Sequence, residues 1–197
     1  MKATTPRILL VAALAGGLGL LASVWFNGNP LWRTATGERA LHAAVNATAP
    51  APPAGVTPAG IGDPMPPIAL PGLDGKIVDL AANYPGRRLL INVWASWCGP
   101  CIEEMPELER FAASQANDGV QVIGLALDTP EGVRDFLSRV PVSYPIVLDA
   151  PGPADASVWL GNAKGVLPYT VLVGADGRIV RQKVGPFQHG EISGWVD

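Results

Sequence analysis

Trp94-Ala95-Ser96-Trp97-Cys98-Gly99-Pro100-Cys101 holds both cysteines of a 197-residue chain. The six residues before the loop, Leu89 to Trp94, are almost all apolar, as in a central strand covered on both faces. After it, Ile102, Met105, Leu108, Phe111 and Ala112 recur at the three- and four-residue spacing of a helix predicted over 100–115. The pair therefore sits where a buried strand turns into a helix. Cys98 then caps the helix and Cys101 lies one turn inside, close enough to bond. The unpaired N–H groups and positive dipole end of the first turn favour thiolate over thiol at Cys98. Pro100 is harmless there, because a first turn has no N–H to lose. A thiolate so placed attacks a disulfide, and Cys101 resolves the mixed disulfide.

Other uses of two cysteines fit less well. Half a zinc site would need a second half, and with only His42 and His189 available none is in view. A static crosslink across a two-residue gap constrains almost no chain. A peroxidase site would carry Ser or Thr three residues before its cysteine, where Ala95 stands. Redox exchange is the reading adopted. Charge excludes other classes of function: a net −3 with pI near 5.3 does not suit a protein that neutralises nucleic-acid phosphates.

Outward from the motif, strands and helices alternate. Pro67 to Leu70 and Lys76 to Leu80 flank Asp74-Gly75, a hairpin signal. Val120 to Leu127 is strand-like, and Thr129-Pro130-Glu131 opens a helix to about Arg139. Pro145 to Leu148 is a short strand and Ala154 to Leu160 a turn or two of helix. Tyr169 to Val173 and Arg178 to Val184 are strands joined through Asp176-Gly177, leaving room for one short helix after Gly185. The fold class is α/β, with a mostly parallel sheet closed by an antiparallel hairpin.

Trp97-Cys98-Gly99-Pro100-Cys101 resembles the thioredoxin active site. Pro106 stands where that family kinks the helix, and Pro168 where it has a cis-proline facing the disulfide. The chain is similar in architecture to the membrane-anchored TlpA/ResA/DsbE group over roughly residues 62 to 197. That resemblance implies a thioredoxin fold with an N-terminal β-hairpin and an inserted helix–strand unit at Thr129 to Asp149. It also implies site roles. Cys98 and Cys101 would be the redox pair, and Pro168 the cis-proline. The backbone of Leu167 would bind a client like an added strand, and Trp97, Gly99 and Pro100 would line the contact. Asn92 stands where thioredoxin has a buried Asp, so an alternative proton acceptor is needed. Glu104 offers one: at 100° per residue it lies about 60° from Cys101, against about 160° for Glu103. The group has an acidic residue at the position of Glu104, which carries that role here. Trp94 is read as packing, and neither histidine carries a role.

N-terminal to the domain, Ile8 to Phe26 is a run of 19 residues without a charge, preceded by Lys2 and Arg7. It rises about 28 Å as a helix, close to the thickness of a bilayer core of about 30 Å. The reading is a cytoplasmic N-terminus over 1–7, a transmembrane anchor over 8–26 and an exported remainder; a cleaved signal peptide is the alternative. A linker follows over 27–60, with a weak helix signal from Pro30 to Asn46 and a proline-rich spacer from Ala47 to Gly60. The folded domain is expected over 61–197, with 10 Lys/Arg against 16 Asp/Glu, a net −6. The expected activity is a thiol–disulfide oxidoreductase facing the periplasm from the inner membrane, a monomer without cofactor or metal, reducing client disulfides. The resemblance names apocytochrome c as the commonest client and implies a membrane electron donor of the thiol-reducing type. A disulfide-forming oxidant is one alternative. A Cu(I)-binding module is another, weakened because only Met65 and Met105 supply soft donors in the domain.

Overall fold

The computed structural model describes residues 34–49, 51–115 and 119–197. The chain divides after Glu38, and the fold that follows belongs to the unit Arg39–Asp197. The expected anchor over 8–26 lies outside the described residues, and among the described residues no helix is long and apolar enough to cross a membrane. Helix α1 (Ala35–Ala47) falls inside the stretch expected as a linker over 27–60. The compact unit thus begins well before Ile61. From α1, Asn46 donates to Gly161 O at 3.2 Å, and His42 Nε2 shares a hydrogen bond of 3.1 Å with the Tyr169 hydroxyl.

The expected hairpin forms as β1 (Ala69–Pro71) and β2 (Ile77–Asp79), followed by a short helix α2 (Leu80–Asn83) that the sequence reading did not separate from the strand. Asp79 explains the switch, because its carboxylate accepts from Ala81 N and Ala82 N and so caps the new helix. Then come β3 (Leu89–Trp94), α3 (Gly99–Ser114), β4 (Gln121–Leu127), α4 (Pro130–Arg139) and β5 (Ile146–Asp149). The chain ends with α5 (Ala156–Trp159), β6 (Tyr169–Val173), β7 (Ile179–Val184) and α6 (Glu191–Val196). As expected, Thr129 caps α4, its hydroxyl accepting from Gly132 N at 3.2 Å.

The main sheet runs β5-β4-β3-β6-β7, parallel across β5-β4-β3 and antiparallel from β3 through β6 to β7. Parallel and antiparallel pairs are therefore equal in number, where a mostly parallel sheet was expected. The cause is β6, which enters beside β3 running the opposite way. The inserted α4–β5 unit widens the sheet beyond β4.

Residues alternate between the faces, as the period of two requires. Leu90, Trp94, Val122, Ala126 and Leu172 face a core closed by α3, α4 and α6. Leu89, Ile91, Val93, Ile123, Leu125, Tyr169 and Val171 face the opposite core, closed by Ile68, Leu80 and Leu160. The N-terminal segment also meets both sheet edges: Gly72 bridges Val147 on β5, and Pro64 bridges Arg178 just before β7.

At Gly161 the φ of +102° suits glycine alone, and an added methyl would sit 2.5 Å from Ala59 O and closer still to the Gln182 amide. Gln182 donates to both Ala59 O and Leu160 O at 2.8 Å, so there is little room to yield. Gly161→Ala is expected to cost roughly 3 kcal/mol or more, read as a lowered urea midpoint.

Candidate active site

The site is built where β3 ends. Ala95 O accepts the Cys98 N–H at 3.1 Å, and Cys98 O accepts the Ile102 N–H at 3.1 Å, so Cys98 closes a turn and caps α3 in one step. Its backbone is extended, with φ −88° and ψ 100°, as at the N-cap of a helix, and its side chain makes no capping hydrogen bond. Cys98 and Cys101 are joined as a disulfide with Cα atoms 5.3 Å apart. Cys98 retains 6% exposure and Cys101 none, so an approaching thiol or disulfide meets Cys98. Trp97, 68% exposed, stands beside it with exposed Gly99 and Pro100.

The Leu167–Pro168 peptide bond is cis. Val93 pairs with Tyr169, so Pro168 reaches the end of β3 from which the cysteine loop departs. Pro168 O accepts the Gly185 N–H at 2.9 Å, and Leu167 is half-buried between the two cores.

Behind the disulfide, Glu104 lies one turn along α3 from Cys101 and is 1% exposed, whereas Glu103 is exposed. Asn92 donates to Glu104 Oε1 at 2.8 Å and to Thr170 Oγ1 at 3.0 Å. The Phe187 N–H donates to Glu104 Oε2 at 2.8 Å. Burial pushes the Glu104 carboxyl up to about 7, against the downward pull of those two hydrogen bonds and of the nearby Lys183 ammonium. A carboxylate poised there can exchange a proton near neutral pH. Asn92 and Glu104, read separately from sequence, prove to be one hydrogen-bonded pair.

Trp94 is buried against Phe136, and Met65 and Met105 pack into the two cores. Three residues of the site escaped the sequence reading. Asp128, at the end of β4, accepts from Ser96 N at 3.0 Å and Ser96 Oγ at 2.6 Å, and so ties down the loop that carries Trp97. Partial burial raises its carboxyl, but the hydrogen bonds from Ser96 and Thr129 outweigh that and hold it below the usual range. Its place beside the end of a neighbouring parallel strand was the available signal. Thr170 is fully buried on β6. Lys183 is buried on β7, and the polar run Arg181-Gln182-Lys183 gave no signal of it. Beyond Trp97 an apolar groove of about 430 Å³ opens, lined by Leu70, Pro71, Leu127, Leu148 and Pro151 among others.

The Redoxin family model matches residues 61–195. The chain belongs to the Redoxin family. Thiol-disulfide oxidoreductase ResA of Bacillus thuringiensis (strain Al Hakam) is 27% identical to this Redoxin chain over 137 residues, 69% of this chain and 76% of that one. Sporulation thiol-disulfide oxidoreductase A of Bacillus subtilis (strain 168) is 26% identical over 123 residues, 60% of this chain and 72% of its own. A crystal structure described as thiol:disulfide interchange protein DsbE from Chlorobium tepidum superposes with a TM-score of 0.59 at 28% identity, covering 68% of this chain and 92% of that one. With its cysteine pair at the N-terminus of α3, this Redoxin chain is a thiol–disulfide oxidoreductase of the ResA/StoA/DsbE type with a thioredoxin-like fold.

Proposed function

We propose that the chain is a reductant of client disulfides, anchored through residues 8–26 in a bacterial inner membrane with its domain in the periplasm. The observation that carries the chemistry is the asymmetry of the cysteines: Cys98 accessible at the helix cap, Cys101 buried with Glu104 one turn away. In the reduced chain the Cys98 thiolate attacks a client disulfide. The client S–S bond breaks, one client sulfur leaves as thiolate, and a mixed disulfide forms. Glu104 takes the proton of Cys101, whose sulfur then attacks Cys98 and expels the second client sulfur. Two electrons pass to the client, and the Cys98–Cys101 disulfide results.

Leu167 would present its backbone to the client beside Pro168, and Trp97, Gly99 and Pro100 would form the contact rim. The apolar groove adjoins Trp97 and offers room for client residues flanking the attacked cysteine. Regeneration requires a thiol-reducing donor in the membrane, because an oxidising compartment cannot restore the dithiol. Apocytochrome c is the proposed client, in cytochrome c maturation, with the chain working as a monomer and without cofactor, metal or nucleic acid. The Gly99-Pro100 dipeptide supports the reducing direction through its resemblance to thioredoxin.

The reduction potential of the couple tests this. A value near or below about −230 mV is expected, from equilibration with a glutathione or dithiothreitol buffer. A value nearer about −120 mV would make the chain an oxidant and reverse the direction of electron flow.

A further inference from the structure

The sheet face beneath α3 carries a polar row inside an otherwise apolar core. Asn92, Thr170 and Lys183 are successive cross-strand partners on β3, β6 and β7, so their side chains stand on one face in a line. Glu104 closes one end of the row from α3, through Asn92. Glu191 closes the other from α6, its Oε1 accepting from Lys183 Nζ at 2.9 Å. The loop between β7 and α6 binds the ends together. Its Phe187 N–H donates to Glu104, its Gln188 N–H donates to Glu191 at 2.7 Å, and Lys183 Nζ lies 5.2 Å from the centre of the Phe187 ring. The Lys183 and Glu191 side chains are only 11% and 16% exposed, so solvent screens them poorly.

We propose that Lys183, its charge partly offset by Glu191, is a positioning residue that holds the Glu104 carboxylate in the form able to accept the proton of Cys101. The proposal rests on the reading of Glu104 as that acceptor. Burial is the largest influence on Glu104 and favours the protonated acid. Lys183 pulls the other way by attraction, and Glu191 pushes back by repulsion. The remaining groups that face Glu104 are neutral donors, Asn92 and the Phe187 N–H, together with the Tyr144 phenol. Burial, Glu109 and Glu104 itself hold that phenol above its ordinary range. Glu107, one turn further along α3, is paired outward with Arg110 and His189. Lys183 is thus the cation among the described residues whose field reaches the acceptor from the strand side.

The test uses the reduced full chain mixed with 5,5′-dithiobis(2-nitrobenzoate) from pH 5 to 9. Cys98 releases the first thionitrobenzoate, and attack by Cys101 on the mixed disulfide releases the second, so the second phase reports loss of the Cys101 proton. Its rate in the wild type is expected to rise with a midpoint of about 7, set by Glu104. Lys183→Met should raise that midpoint and slow the phase about fivefold at pH 7. Glu191→Gln should lower it and speed the phase about fivefold at pH 6. Opposite shifts from two halves of one ion pair do not arise from loosened packing. A midpoint unmoved by Lys183→Met, or moved the same way by both substitutions, overturns the proposal. Should Lys183→Met not fold, Glu191→Gln decides alone, and an unmoved or raised midpoint overturns it. Survival of the limb in Glu104→Gln overturns the acceptor reading instead.

Discussion

Cys101→Ser is expected to turn the chain into a trap, accumulating disulfide-linked client adducts that run as high-mass bands on non-reducing gels and vanish with reductant. Cys98→Ser should give no such bands and lower disulfide reduction roughly a thousandfold or more, since the attacking sulfur is gone. Geometry separates the two substitutions. The more accessible cysteine stands at the N-cap of α3, while the other is fully enclosed and bonded to its neighbour. Attack must therefore begin at Cys98, and Cys101 can act only once a mixed disulfide exists. Adducts on Cys98→Ser in place of Cys101→Ser would reverse these roles.

Glu104→Gln carries the second large effect, on stability as a function of pH. The carboxyl is raised from 4.5 in its ordinary state to about 7 in the folded chain. Below pH 4.5 it is protonated in both states, and its contribution to stability is fully present. As pH rises the unfolded chain gives up that proton and the folded chain keeps it. Unfolding then releases a proton, and stability falls by about 1.4 kcal/mol per pH unit, levelling once the folded group ionises above about pH 7. The total is about 3 kcal/mol. The amide that replaces the carboxyl cannot titrate, so the variant should lack this decline. Measured by urea denaturation, its stability relative to wild type should improve steadily between about pH 5 and 7. A difference that stays constant with pH would mean that the carboxyl is not held neutral by burial.

Much of the site was legible because local chemistry announced it. Cys98-Gly-Pro-Cys101 between an apolar run and a helical repeat marks a strand-to-helix cap without further information, and Pro168 stands one residue before the strand it serves. Glu104 followed from helical angle together with the family resemblance, which has an acidic residue at that position. Its partners did not. Asn92, Thr170 and Lys183 meet only through strand register, over sequence separations that no local periodicity encodes. The direction of β6 was hidden for the same reason: Tyr169 to Val173 reads identically in a parallel or an antiparallel setting. Helix α1 was blurred differently, since its contacts with the body are polar, His42 to Tyr169 and Asn46 to Gly161, where the reading sought an apolar stripe.

The bridges that Gly72 and Pro64 make to the outer strands bear on the company such an enzyme keeps. An enzyme that acts on other chains gains from closed sheet edges, because unpaired backbone can use any open strand as a template. With β5 met by the hairpin and β7 by the segment at Pro64, those flanks are poor nuclei for aggregation. A fragment begun after Pro71 would lose the Pro64 bridge and the first hairpin strand, and should self-associate in proportion to its concentration while its cysteines still react.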